Sequence, residues 1–236
     1  MTGQRIRIVV TVLSSMGVLL VLQPAARADM VMVQMHLTSA GSDVSNSVYI
    51  SPYYATINGG PVTPVICDDF RDDSYVPESW TATVYAGSAN LSGTRMAQLS
   101  GFTGDTLNRA YDAVDYLALE LPGANATDRA LISFAIWDIF ASSYVSAWVN
   151  DTAFYSAVHA DALAALQAAP VNGRYNLTIY SSPISDISCG GGTCQNTPPQ
   201  EFVTTPEATA PAILAFDLLA LLGVAFLVRR SIPRNA

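Results

Sequence analysis

The first half of the chain alternates apolar and polar residues, as strands with one buried face do. VMVQMHL at 31–37 and WTATVYAG at 80–87 show this alternation. The apolar stretch at 48–70 is interrupted by Asn58-Gly59-Gly60, a sequence typical of the turn in a β-hairpin. Several short antiparallel strands are therefore predicted before residue 90.

The middle of the chain changes to a helical period, with apolar residues at i, i+3, i+4 and i+7. One amphipathic helix is predicted over 107–121, a helix apolar on nearly all sides over 127–140 with Thr127 as N-cap, and an Ala-rich helix over 152–169. RYNLTIY at 174–180 returns to a strand pattern. The sequence thus predicts one α+β domain over 29–180, with two or three helices, followed by a flexible Ser/Gly/Pro/Thr-rich linker at 181–205.

The N-terminus has the three parts of a secretory signal peptide. Arg5 and Arg7 precede an apolar stretch over 8–22. Ala26-Arg27-Ala28 then forms a small-x-small cleavage site, with cleavage after Ala28. Residues 1–28 are therefore predicted to be removed by signal peptidase, leaving Asp29 as the mature N-terminus. An uncleaved membrane anchor is the alternative.

A second apolar stretch, 212–228, lies near the C-terminus and contains Asp217 as its one strongly polar residue. Seventeen helical residues span about 26 Å, slightly less than the bilayer core of about 30 Å. Arg229, Arg230 and Arg234 follow, and the positive-inside rule places them in the cytoplasm. A single transmembrane helix is predicted here, with a buried core helix as the alternative.

These two ends together resemble the bacterial PEP-CTERM sorting proteins. The matching residues are Pro206-Glu207, the apolar span 212–228 and Arg229-Arg230, whereas Ala208 stands where that family has a second Pro. The resemblance implies that 206–236 is a sorting tail processed by an exosortase-type enzyme. It also implies a transient stay in the inner membrane, export to the cell envelope or extracellular space, and exopolysaccharide as a candidate partner.

The predicted exported segment is strongly acidic. Residues 29–205 contain 17 Asp and Glu against 5 Arg, and the whole chain has no Lys. This balance argues against nucleic acid and against anionic membrane surfaces as partners. It is compatible with a solvated exported protein or with cation binding.

Export also affects the three cysteines, because oxidising compartments favour disulfides. Cys189 and Cys194 flank a Gly-rich loop in CGGGTC, and a disulfide between them is predicted. Cys67 remains as the odd thiol and is interpreted as a small buried side chain at the end of a strand. Intermolecular pairing and a reactive thiol are the alternatives. Asp68, Asp69, Asp72 and Asp73 follow Cys67 closely and are weak candidates for a Ca²⁺ site, with a solvated loop as the default.

The region around Cys67 also resembles, more distantly, the thioester domains of bacterial surface adhesins. In those domains a Cys and a Gln side chain condense, and the Gln lies in a Thr-Gln-x-Ala pattern before an Ile/Val-Trp pair. Ala135, Ile136 and Trp137 match the end of that pattern, but Ile132 and Ser133 stand at the Thr and Gln places. Since Ser133 has no carboxamide, the bond cannot form there, and the resemblance implies a thioester-type scaffold without the thioester.

No hydrolase motif or phosphate-binding Gly loop is found in the sequence. No catalytic residue is assigned, and a non-enzymatic exported protein is predicted. The alternatives are an adhesin or glycan-binding module, for which Tyr53, Tyr54 and Trp80 are candidate exposed aromatics, and a small polysaccharide-acting hydrolase.

Overall fold

The structure is a computed structural model that describes residues 31–86, 90–169, 176–182, 188–190, 193–195 and 199–205. Its strands, in chain order, are β1 Val31–Ser39, β2 Val44–Ser45, β3 Val48–Tyr49, β4 Tyr53–Ile57, β5 Val62–Cys67, β6 Glu78–Ala86, β7 Thr178–Ser181, β8 Ser188–Gly190, β9 Thr193–Gln195 and β10 Phe202–Thr204. Its α-helices are α1 Arg95–Ser100, α2 Gly104–Ala118, α3 Ala126–Trp148 and α4 Thr152–Ala168. The mixture of helices and antiparallel strands confirms the predicted α+β class.

Six strands close into an antiparallel barrel in the order β1-β4-β5-β10-β7-β6, with β6 pairing back onto β1. Met35 of β1 illustrates the closure, because it faces Ile57 of β4 on one side and Trp80 of β6 on the other. The hairpin β8–β9 extends the sheet from Glu78 and Ser79 of β6. The barrel leaves β1 no free edge where it pairs on both sides.

The hairpin predicted at Asn58-Gly59-Gly60 is confirmed and joins β4 to β5. Asn58 and Gly59 have φ values of 52° and 70°, and the amide of Gly60 donates to the carbonyl of Ile57 at 2.9 Å. Positive φ at two successive positions favours Asn and Gly. The tight turn places Val65 opposite Tyr53 and so aligns the two apolar faces.

Alternation along the strands separates two cores. Residues such as Met35, Val65 and Phe202 point into the barrel. Their neighbours Ile66 and Val203 point outwards and pack against the helices, which cover that side of the barrel. Period-two alternation therefore lets a single short strand stabilise both layers.

Helix α3 is the central helix of the second core. It begins after Asn125, whose side chain accepts from the amides of Thr127 and Asp128, so Asn125 and not the predicted Thr127 is the N-cap. Of the helices that the structure describes, α3 is long and apolar enough to cross a membrane by length and composition, and 67% of its most apolar stretch is buried inside the protein. That burial is the pattern of a core helix.

Part of the segment predicted as a flexible linker belongs to the barrel. Phe202 and Val203, both fully buried, lie in β10, which pairs with β5 on one side and β7 on the other. The prediction of a linker throughout 181–205 is therefore wrong, because a three-residue strand buried on both faces is too short to give a periodic signal. The predicted signal peptide 1–28 and sorting tail 206–236 lie outside the described residues.

Candidate functional site around Cys67 and Gln200

Cys67 ends β5 and is a fully buried free thiol. Its sulfur donates to the main-chain carbonyl oxygen of Asp69 at 3.1 Å. Its own carbonyl oxygen accepts from the indole nitrogen of Trp137 at 2.9 Å, which ties the end of β5 to the centre of α3. The thiol is therefore held in one orientation by contacts on both sides.

Ser133 and Cys67, the two positions matched to the thioester domains, lie close together in the fold. The amide of Ser51 donates to Oγ of Ser133 at 3.2 Å, and Oγ of Ser51 accepts from the amide of Cys67 at 3.2 Å. All three residues are fully buried. Ser51 thus bridges the two positions, and Ser133 has a structural role in fixing the segment before β4.

The carboxamide next to Cys67 comes from Gln200, which sequence reasoning did not single out. Its Nε2 donates to the carbonyl oxygen of Asp69 at 2.8 Å and also to the carbonyl oxygen of Asp72. The sulfur of Cys67 and the amide nitrogen of Gln200 therefore share one acceptor, and their separation cannot exceed the sum of the two hydrogen-bond lengths.

The strand register explains this juxtaposition. Phe202 of β10 lies directly opposite Cys67 of β5. Gln200 precedes Phe202 by two residues, so extended backbone turns both side chains to the same face, and diagonal neighbours of this kind are within side-chain reach. The only sequence signal was a Gln ahead of the apolar pair Phe202-Val203.

The electrostatic surroundings keep the thiol of Cys67 protonated. Burial raises the pKa of Cys67 well above its usual value, and the charges of Asp69 and Asp68 raise it further. The hydrogen bond to Asp69 works in the opposite direction but does not outweigh burial. A neutral thiol is the stable form here.

Behind Cys67, on the helical side of β5 and β10, two buried carboxyl groups lie side by side. Burial, followed by the charge of Glu201, raises the pKa of Asp68 well above its usual value. Glu201 accepts from the hydroxyl of Tyr111 and from the amide of Arg95, the latter at 2.8 Å. Because hydrogen bonds to Glu201 favour its charged form, Asp68 is the member of the pair that holds a proton.

Arg95 is the buried cation of this region, with 1% of its side chain exposed. Its Nε donates to Oδ2 of the fully buried Asp69 at 2.6 Å, and its Nη2 donates to Asp72. Burial raises the pKa of Asp69, while Arg95 counteracts that effect. Arg95 therefore holds the Asp69–Asp72 segment, whose carbonyl groups bind Gln200, against α1.

The four acidic residues considered for calcium have separate roles. Asp68 is buried beside Glu201, Asp69 and Asp72 pair with Arg95, and Asp73 is exposed. Among the residues that the structure describes, no group of three or more His, Cys, Asp or Glu side chains is arranged to hold a metal ion. The buried guanidinium occupies the position that a cation would need near Asp69.

The register of β8 and β9 places Cys189 opposite Cys194, and the disulfide between their side chains stays a prediction. The cleavage residues Ala26 and Ala28 and the sorting residues Pro206, Glu207, Arg229 and Arg230 lie outside the described residues.

Two of the three aromatics proposed for glycan binding are buried. Tyr53 and Trp80 point into the barrel and are 7% and 6% exposed, so they are core residues, and only Tyr54 is partly accessible. Alternation along β4 explains the error, since consecutive Tyr residues face opposite sides of the sheet.

A cavity of about 650 Å³ adjoins Gln200. Its lining includes Phe70 and residues 72–76, the segments 38–41 and 47–49, and Trp137 and Trp148 of α3. Cys67 does not line it. Gln200 thus borders the cavity, while the thiol of Cys67 lies in the barrel core.

Comparison with known proteins gives a distant structural likeness. No family model matches the chain, and no curated protein matches it. Among solved structures, the N-terminal thioester domain of a surface protein from Clostridium perfringens is similar, with 13% sequence identity and a TM-score of 0.41, over 74% of this chain and 98% of that one. At this level of likeness, the function of this chain has to be inferred from its own contacts.

Proposed function

We propose that the protein is an exported, non-enzymatic surface protein of the adhesin type, whose barrel domain forms an internal thioester between Cys67 and Gln200. One observation carries this proposal: the thiol of Cys67 and the carboxamide of Gln200 both donate to the carbonyl oxygen of Asp69, at 3.1 and 2.8 Å. The thioester group would then form in a site from which bulk water is largely excluded, since Cys67 is fully buried and Gln200 is 8% exposed.

The reaction is an intramolecular condensation. The sulfur of Cys67 attacks the side-chain carbonyl carbon of Gln200, the S–C bond forms, and the C–N bond breaks. The thiol proton leaves with the amide nitrogen as ammonia. No oxidant and no external reactant is needed, and the product is one ammonia lighter than the encoded chain.

The fold supplies what this condensation needs most, which is fixed proximity. When two reacting groups are already held together, the reaction no longer loses the entropy of bringing them together, and its rate is greatly increased. Here Cys67 is fixed through Trp137 and Ser51. The side chain of Gln200 is held by the carbonyl groups of Asp69 and Asp72. The main-chain amide of Gln200 donates to Oγ of Ser74 at 3.3 Å.

Burial also favours persistence of the bond. A thioester is lost when water attacks its carbonyl carbon, and the side of the bond formed by Cys67 lies inside the barrel core. Gln200, on the other side of the bond, lines the cavity. A nucleophile that enters the cavity would take over the acyl group and release the thiol of Cys67, so each molecule would react once. A single covalent attachment of this kind fits an adhesin rather than an enzyme.

We further propose that the tail at 206–236 directs this domain to the envelope as a PEP-CTERM-like signal. The support is its sequence: Pro206-Glu207, an apolar span, and Arg229-Arg230. Replacing Pro206 and Glu207 by Ala in the native host should leave the tail attached and the protein in the membrane fraction. Processing at the normal rate in that variant would contradict the sorting proposal.

The thioester is tested by intact mass of the denatured, purified protein. The wild-type chain should be one ammonia lighter than its sequence, and methylamine should add its own full mass to that species. Cys67→Ser and Gln200→Glu should show the mass of their sequences, because one lacks the thiol and the other lacks the amide leaving group.

Gln98→Glu is the matched control, since Gln98 is an exposed Gln whose side chain donates to the carbonyl oxygen of Gly93 and makes no hydrogen bond to the Cys67 site. It should keep the ammonia deficit. A wild-type chain at its full sequence mass, with Cys67 open to alkylation after denaturation, would refute the proposal.

A further inference from the structure

The cavity next to Gln200 has rigid aromatic walls. Phe70 stacks on Trp137 with ring centroids 4.8 Å apart and lies edge-on to Trp148 at 6.0 Å. The indole nitrogen of Trp148 donates to the carbonyl oxygen of Asn46 at 2.9 Å, which fixes a ring that is still 50% exposed. Tyr49, 51% exposed, also lines the cavity. The lining of the cavity is therefore rich in aromatic side chains.

The charge of the lining has one sign. Asp72 and Asp73 line the cavity, and none of its described lining residues is Arg or His. Arg95 neutralises Asp72. Asp73 is exposed, and within the described ranges it makes no ion pair. Burial, and after it the charges of Cys67 and Asp73, raise the pKa of Tyr53, which also lines the cavity. The lining therefore attracts cations and repels anions.

On the basis of the proposed thioester, we infer that the cavity selects amines that carry a second positive charge, such as diamines or lysine side chains next to another cation. Asp73 is the residue that makes this selection. The amine that attacks the Gln200 carbonyl must be neutral, because only the unprotonated nitrogen has a free electron pair. A cation held at Asp73 must then be a second group of the same molecule.

The acyl transfer balances without a further reactant. The neutral amine nitrogen forms a C–N bond with the carbonyl carbon of Gln200, and the C–S bond breaks. One amine proton passes to the sulfur of Cys67, which becomes the thiol again. The second, protonated amino group keeps its charge throughout and is bound between the Asp73 carboxylate and the aromatic rings.

The size of the selection follows from ordinary interaction strengths. An exposed ion pair and one cation–π contact together favour a cationic ligand by about tenfold over a neutral ligand of the same length. An anionic ligand should be disfavoured, since its charge meets Asp73.

The experiment compares diaminobutane, butylamine and aminobutyric acid at equal concentrations of the neutral amino group. The rate at which each adds to the wild-type protein is followed by intact mass and corrected for the two amino groups of the diamine. Diaminobutane should react about tenfold faster than butylamine, and aminobutyric acid slowest. Asp73→Asn should bring the diamine down to the butylamine rate. Asp105→Asn, which removes an exposed carboxylate at the start of α2, should change nothing.

A second measurement separates the selectivity from the thioester. Cys67→Ser cannot form the bond but keeps the cavity, so its binding of diaminobutane and butylamine can be compared by calorimetry. Preference for the diamine in Cys67→Ser, lost in Cys67→Ser/Asp73→Asn, supports the assignment of Asp73. Equal binding of the two amines overturns the selectivity even where the ammonia deficit is present, whereas a missing deficit in the wild type overturns the thioester and the acyl transfer built on it.

Discussion

Replacing Arg95 with Met tests how the segment around the proposed thioester is held. Met keeps most of the apolar volume of the Arg stem and removes the guanidinium that pairs with Asp69 and Asp72. Asp69 is fully buried, so its carboxylate would be left without a counter-ion at neutral pH. Asp72 is 21% exposed and can be solvated in part.

Most of the expected loss of stability comes from Asp69. Breaking a buried ion pair by removing one partner destabilises a protein by about 3–5 kcal/mol, whereas a partly exposed pair contributes about 0–1 kcal/mol. One opposing effect is present, because Nη1 of Arg95 is buried without a hydrogen-bond partner among the described residues and its removal is favourable. We therefore expect the free energy of unfolding to fall by about 3 kcal/mol at pH 7.

The loss of stability in Arg95→Met should depend on pH. The pKa of Asp69 is already raised by burial and is lowered by Arg95, so the variant raises it further. On acidification the buried carboxyl takes up a proton and no longer needs a counter-ion. The difference between wild type and Arg95→Met should therefore shrink as the pH falls towards the unfolded pKa of about 3.9.

Urea unfolding followed by tryptophan fluorescence measures this, with the double variant Asp69→Asn/Arg95→Met completing the cycle. The double variant should recover most of the lost stability at pH 7, because it buries no unpaired charge. The reasoning would be refuted by a single variant that loses less than about 1 kcal/mol, or by a double variant no more stable than the single one.

Two smaller predictions concern single side chains. Burial raises the pKa of Glu78 to about 6, so the stabilising contribution of this side chain is complete below its unfolded pKa and is lost as the pH rises through 6. Urea unfolding at pH 7.5 should therefore find Glu78→Gln more stable than wild type by about 1–2 kcal/mol. A difference in stability that does not vanish at pH 4 would contradict the burial argument. Asp151 caps α4 by accepting from the amides of Ala153 and Phe154 at 2.9 and 3.1 Å, and Asp151→Ala should lower the free energy of unfolding by about 1 kcal/mol. The control variant Asp161→Ala, at an exposed position in the middle of the helix, should be nearly neutral. Equal losses of stability in both variants would count against the cap.

The sequence alone determined the elements whose residues repeat with a clear local period. Alternation predicted β1 and β6, the Asn58-Gly59-Gly60 turn predicted the β4–β5 hairpin, and helical spacing predicted α2, α3 and α4. These signals are local because the spacing of apolar residues within a short segment shows whether its buried face follows the period of a strand or that of a helix. They also showed that Cys67 ends a strand and that the segment containing Ser133 and Trp137 is a helix buried on nearly all sides.

Tertiary structure alone decided which of these residues meet. The contact between Gln200 and Asp69 joins positions 131 residues apart, and it depends on β10 entering the barrel between β5 and β7. A strand of three residues has too few positions to show a period, so 181–205 resembled a linker. The burial of Asp69 with Arg95 was hidden for a related reason: a charged residue is expected at the surface unless its partner is known, and the partner lies on a different element. Burial and strand register, which no short stretch of sequence encodes, brought Gln200 to Cys67.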